Sequence, residues 1–192
     1  MKLKFFFTIS AFFILASCSS VQRTTATSGE ISDQASLENK TALPQWAKEE
    51  LHVNESTLGV TARIEISQDQ SPVQGLILAD AKAQELFKKQ LSSKLYTWLL
   101  ALNKNPHITG PTLKIFTENL INNDLDSVLL IDKHYYNQTE SHYQCYSLAT
   151  LNASELKQKI SEKINKDFKD AQSLLKDLEA SWNQFLASLP IG

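Results

Sequence analysis

His134, His142 and Cys145 are the side chains of this 192-residue sequence best suited by type to hold a metal ion. Imidazole nitrogen and thiolate sulfur are the ligands zinc prefers. If residues 127–136 and 142–151 pair as a hairpin, the two histidines fall nearly opposite each other, with the cysteine on the second strand. No two of the three have the spacing of a zinc motif, and polar side chains on a solvent-facing hairpin are the plainer reading. Asp124, Asp126 and the neighbours Asp132 and Lys133 read as solvated loop and strand-edge groups. A Ser-His-Asp site needs its nucleophile on a sharp turn beside its base. The chain has no Gly-x-Ser-x-Gly and, with 5 glycines in all, no Gly-rich phosphate loop. The expectation is a protein that is not an enzyme and carries no cofactor.

The chemistry most clearly written in the chain belongs to Cys18. Lys2 and Lys4 precede an apolar run from Phe5 to Ala16, which ends in Leu15-Ala16-Ser17-Cys18. A charged start, a short greasy stretch and small residues before a cut mark a secretory signal. The run is roughly half the ~20 residues a membrane-spanning helix needs. The Leu-Ala-Ser-Cys ending resembles the bacterial lipobox. That resemblance implies diacylglycerol on the Cys18 thiol, cleavage before it, and acylation of the new N-terminus. More than one acyl chain makes attachment lasting. Ser19 resembles the default that sends such proteins to the outer membrane, since Asp at this place is a familiar retention signal.

Charge and cysteine count agree with this reading. Loss of Lys2 and Lys4 takes the basic count from 19 to 17 against 21 acidic residues, a net charge of −4. Nucleic acid, which requires a basic footprint, is not an expected partner. With Cys18 used for lipid, Cys145 has no partner in its own chain and is expected to be buried and inert, as a small apolar residue.

The elements that position these residues follow from periodicity. Residues 1–17 form the signal peptide and 18–43 a lipidated flexible tether, too poor in apolar groups to offset the entropy of ordering. Such a tether has a typical end-to-end distance of about 25–30 Å. Pro44-Gln45-Trp46 ends it, and Trp46 should dock on the domain edge. Residues 59–67 alternate: Val60, Ala62, Ile64 and Ile66 face one way, Thr61, Arg63 and Glu65 the other, which is a half-buried strand. Ser71-Pro72-Val73-Gln74 starts a long helix with a capping box, continuing through Ala79, Ala83, Phe87, Leu91, Leu95, Trp98 and Leu102. Gly110-Pro111 opens a shorter helix that Asn122-Asn123 closes, and Asn137-Gln138-Thr139-Glu140 supplies the hairpin turn.

Asn152-Ala153-Ser154-Glu155 caps a last helix running to about Leu189, with an apolar stripe close to an eleven-residue period. At about 55 Å it outreaches a nine-residue strand of about 30 Å. Either the chain breaks near Asp170, or the 174–189 half packs on another molecule. The second option makes Trp182, Phe185, Leu186 and Leu189 an interaction surface, for self-association or for an envelope protein. The expected architecture is α+β: a small antiparallel sheet of about three strands, long helices on one face and a long C-terminal helix. The domain spans 44–170 and the helix extension 171–192.

This succession resembles the Lpp-20 type of outer-membrane lipoprotein over about residues 44–152. The matching features are Cys18, Pro44-Gln45-Trp46, the strand at 59–66, Ala79-Asp80-Ala81-Lys82-Ala83-Gln84 and the paired strands 128–136 and 143–151. The resemblance implies a non-enzymatic protein, and some members are flagellum-associated lipoproteins that assemble rings or disks. The C-terminal helix runs some twenty residues beyond the usual end. The expectation is a lipid-anchored structural or assembly component at the outer membrane, with the flagellar base as one setting. The alternative is a tethered binding module that activates a cell-wall synthase.

Overall fold

The computed structural model describes residues 42–54 and 56–189, all within one compact unit. Cys18, the signal peptide and most of the tether lie outside the described residues. The architecture is α+β, with a four-stranded antiparallel sheet and helices packed on it. A short helix α1 (Gln45–Lys48) leads into β1 (Leu51–Val53) and β2 (Thr57–Ser67). The long α2 (Pro72–Leu102) and α3 (Gly110–Asn119) follow. A π turn at Leu120–Asp124 leads to β3 (Leu130–Gln138), β4 (His142–Asn152), α4 (Ala153–Asp167) and α5 (Gln172–Ser188). The sheet order is β1-β2-β4-β3.

The alternation in β2 places Leu58, Val60, Ala62 and Ile66 in the core beneath α2. β1 is the strand that periodicity did not announce. Its three residues, Leu51-His52-Val53, pair with Val60, Gly59 and Leu58, and three residues are too few to show a period. Trp46 is half-buried, and its carbonyl accepts a hydrogen bond from Thr61 Oγ1 at 3.0 Å.

α2 begins where Ser71 and Pro72 predict. Ser71 Oγ accepts from the Val73 N–H at 3.3 Å, a cap made without the Gln74 side chain. Its buried positions are Gly75, Ala79, Ala83, Phe87, Leu91, Leu95 and Leu99, a strict spacing of four. Four residues advance about 400° around a helix, so the stripe drifts by about 40° per step. Over six steps the apolar line turns well past a half circle. The first half of α2 therefore packs on β2 and β4, and the second half faces α3 and α5.

The C-terminal helical stretch is long, as expected, but it runs as two helices. The break falls between Phe168 and Ala171, and Asp170 has φ 57°. Asp is one of the few residues that visit the left-handed region readily. Phe168 leaves the helical path to pack on Phe116, ring centroids 5.2 Å apart. α5 then folds back on the chain's own core. Trp182, Phe185, Leu186 and Leu189 are all buried. This corrects the assignment of these four residues to an interaction surface, and makes 172–188 part of the same core rather than an extension. Lys104 to Asp177 and Lys157 to Glu179, each at 2.6 Å, tie α5 to the end of α2 and to α4.

Candidate functional site

The hairpin register decides the fate of the metal candidates. Gln138 pairs with Tyr143 and His134 with Ser147, so the strand pairing continues to Gln138 and the turn lies later than expected. His134 is therefore not opposite His142. Because successive side chains alternate between faces, Cys145 and His134 point toward α2 and His142 points to the other face. His142 stands 3.7 Å from Glu65 and 3.4 Å from Gln144 on that far face. Among the described residues, no group of three or more His, Cys, Asp and Glu side chains is placed to hold a metal ion.

Cys145 is fully buried between β4 and the start of α2, and its thiol approaches the Pro72 carbonyl at 3.7 Å. Burial raises its pKa, which suppresses the thiolate that nucleophilic or ligating chemistry requires.

His134 instead joins a polar cluster between helix and sheet. Asp80, on α2, receives the Ser147 hydroxyl at 2.6 Å and His134 Nε2 at 2.7 Å on the same carboxylate oxygen. A carboxylate only accepts, so Nε2 carries the proton. The three residue types are those of a catalytic triad, but the wiring is not. The serine donates to the aspartate rather than to the imidazole, and its hydroxyl is buried. Acyl transfer needs the serine beside its base with room for a substrate carbonyl. Here the cluster fastens α2 to β3 and β4. Ala79 and Ala83, both fully buried on this helix, bring it close enough to the sheet for the Asp80 carboxylate to reach.

An apolar cleft lies at the other edge of the sheet. Between β1, β2 and α2 a cleft of about 370 Å³ opens. Leu51, Val53, Leu58, Val60, Phe87 and Leu91 line it, and Leu189 closes one side. The cleft exists because β1 is short, while α2 continues past the paired part of the sheet. Lys89 and Lys94 lie at its mouth, exposed, and neither has an ion-pair partner among the described residues. Gln90 also borders the cleft. Its Nε2 donates to Glu50 at 3.2 Å, while its Oε1 is buried with no hydrogen-bond partner among the described residues. Residue types alone gave no sign of this cleft; the only sequence signal is Lys89-Gln90 and Lys94 flanking Leu91 on one helix.

No family model matches the chain, and no curated protein and no solved structure matches it. Among the described residues, no helix is long and apolar enough to cross a membrane.

Proposed function

We propose that this chain is a lipid-anchored, non-catalytic envelope protein, a structural or assembly component held at the outer membrane through Cys18. The observation that carries this reading is the string Leu15-Ala16-Ser17-Cys18 after a basic start and a short apolar run. The mechanism is tethering. Acyl chains confine the domain to a thin layer, and confinement raises the effective concentration of weak contacts. The wiring of Asp80, His134 and Ser147 supports a non-catalytic role, because the buried serine donates to the carboxylate and not to the imidazole.

The surface offered for assembly is not α5. Among the described residues β3, nine residues long, lies at the edge of the sheet. Leu130 on that strand is 63 % exposed, and Ile77 on α2 is 61 % exposed. Exposed edges invite pairing with another chain. Self-association or docking on an envelope machine such as the flagellar base, as the Lpp-20 resemblance implies, would use these groups. The test is membrane fractionation of the wild-type chain and Cys18→Ser. The wild type is expected in the membrane fraction and the variant in the soluble one. A Cys18→Ser chain that stays with membranes would overturn the reading.

A further inference from the structure

We propose that the cleft beside β1 binds a single-chain anionic glycerophospholipid. The inference does not depend on Cys18 being lipidated, because it concerns a free ligand held by the folded domain.

Three observations converge on this class. The cleft volume of about 370 Å³ sits at the low end of the range of about 300–1,000 Å³ for small-molecule sites, room for one acyl chain and not for two. Its walls are aliphatic and aromatic side chains from both the sheet and α2, so a hydrocarbon chain would be enclosed from two sides. The polar groups are few and sit together. Lys89 and Lys94 at the mouth are cations without ion-pair partners among the described residues, and their stems can lie along apolar surface while the ammonium groups stay in water. They complement a phosphate. Gln90 Oε1 is an acceptor buried without a donor among the described residues. Buried polar atoms normally find a partner. A glycerol hydroxyl between acyl chain and phosphate is a donor of the right kind for it. The cleft thus combines an apolar lining with a hydrogen-bond acceptor and positive charge. A monoacyl glycerophospholipid presents the complements: chain, hydroxyl, phosphate.

The probe is monopalmitoyl phosphatidylglycerol, below its micellar concentration, titrated into the full chain carrying Cys18→Ser so that no covalent lipid competes. Binding is read by calorimetry and by native mass spectrometry. One saturable adduct per chain is expected. Reversing both lysines, Lys89→Glu with Lys94→Glu, should weaken it by about tenfold or more, since hydrogen bonds to charged groups are the stronger ones. Both lysines are exposed, so the variant is expected to fold. Neutral monopalmitoylglycerol should bind more weakly to the wild type and equally to both proteins. Leu86→Glu, at the half-buried lip, should also reduce binding of the phospholipid. No saturable binding, equal binding by the lysine-reversed chain, or equal affinity for the neutral lipid would overturn the proposal. So would capture of an extended apolar peptide along β1 with no lipid bound.

Discussion

Gly75 on α2 stands directly over Cys145 on β4: a Cβ at position 75 would overlap the Cys145 sulfur and come within 2.8 Å of Ile66 Cδ1. The close approach of helix and sheet at this point depends on the absence of a side chain. It also seals the thiol, since Ile66, Ala79 and Cys145 form one small buried cluster. In an ordinary helix interior, replacing Gly by Ala gains about 0.5–1 kcal/mol. Here the sign should reverse. Gly75→Ala is expected to cost about 1–3 kcal/mol, the usual range for overpacking a filled core. Urea denaturation checks it, and adding Cys145→Ala to the same chain should recover part of the loss, because the two sites are in contact.

The aromatic cluster at the far end of α2 gives the test of α5. Trp98 stacks on Phe185 with centroids 4.4 Å apart and meets the Trp182 edge at 5.8 Å. Phe185 is about 1 % exposed. Phe185→Ala should therefore cost about 3–5 kcal/mol of stability. The loss should not depend on protein concentration, as it would if these side chains were stabilised by a second molecule.

Asp80 should behave as a fastener. Asp80→Ala leaves the buried Ser147 hydroxyl without its acceptor, and an orphaned buried polar group costs about 1–3 kcal/mol. Ser147→Ala in the Asp80→Ala background should cost little more, so the double variant should lose less than the two single losses added together. Equilibrium unfolding of the four chains measures the coupling.

Alkaline pH should destabilise the domain. Burial raises the Cys145 thiol above its ordinary 9.0 and the Tyr146 phenol above its ordinary 10.0, the latter opposed by Arg63. For Lys163, burial acts to lower the pKa, but Asp167 at 3.1 Å and Asp124 at 3.3 Å outweigh it, and the net shift from 10.5 is upward. Each group binds its proton more tightly folded than unfolded. By linkage its contribution is fully present below the unfolded pKa and is lost as pH rises through the folded one. Urea midpoints should thus be flat to about pH 9 and fall beyond it. Cys145→Ser should move the onset of the fall upward. In native protein at neutral pH, Cys145 should resist alkylating reagents and react on unfolding.

The parts of the fold that were legible in the sequence are those with a long, regular period. β2 shows its alternation over nine residues, and α2 shows Ser71, Pro72 and a run of apolar residues four apart. The hairpin of β3 and β4 was legible as two strands but not in register: the turn moved, and a shift between Ile131 and Lys133 slips the pairing once more. That displacement separates His134 from His142 and brings His134 to Asp80, 54 residues away in sequence. The break before α5 was legible only as an alternative, because Phe168 and Ala171 fit an apolar stripe whether the helix continues or turns back. What selects the turn is tertiary: Phe116 and Trp98 supply the surface on which Phe168 and Phe185 close. The cleft beside β1 was not legible at all. It is made by the end of one short strand against the side of a long helix, and no local pattern encodes that.

The mass of the mature protein tests the proposed lipid anchor most directly. The wild-type chain, extracted from membranes and digested, should yield an N-terminal peptide that begins at Cys18, carries diacylglycerol on sulfur and bears a further acyl group on nitrogen. An N-terminal peptide beginning at Met1, or an unmodified thiol at Cys18, would contradict the account.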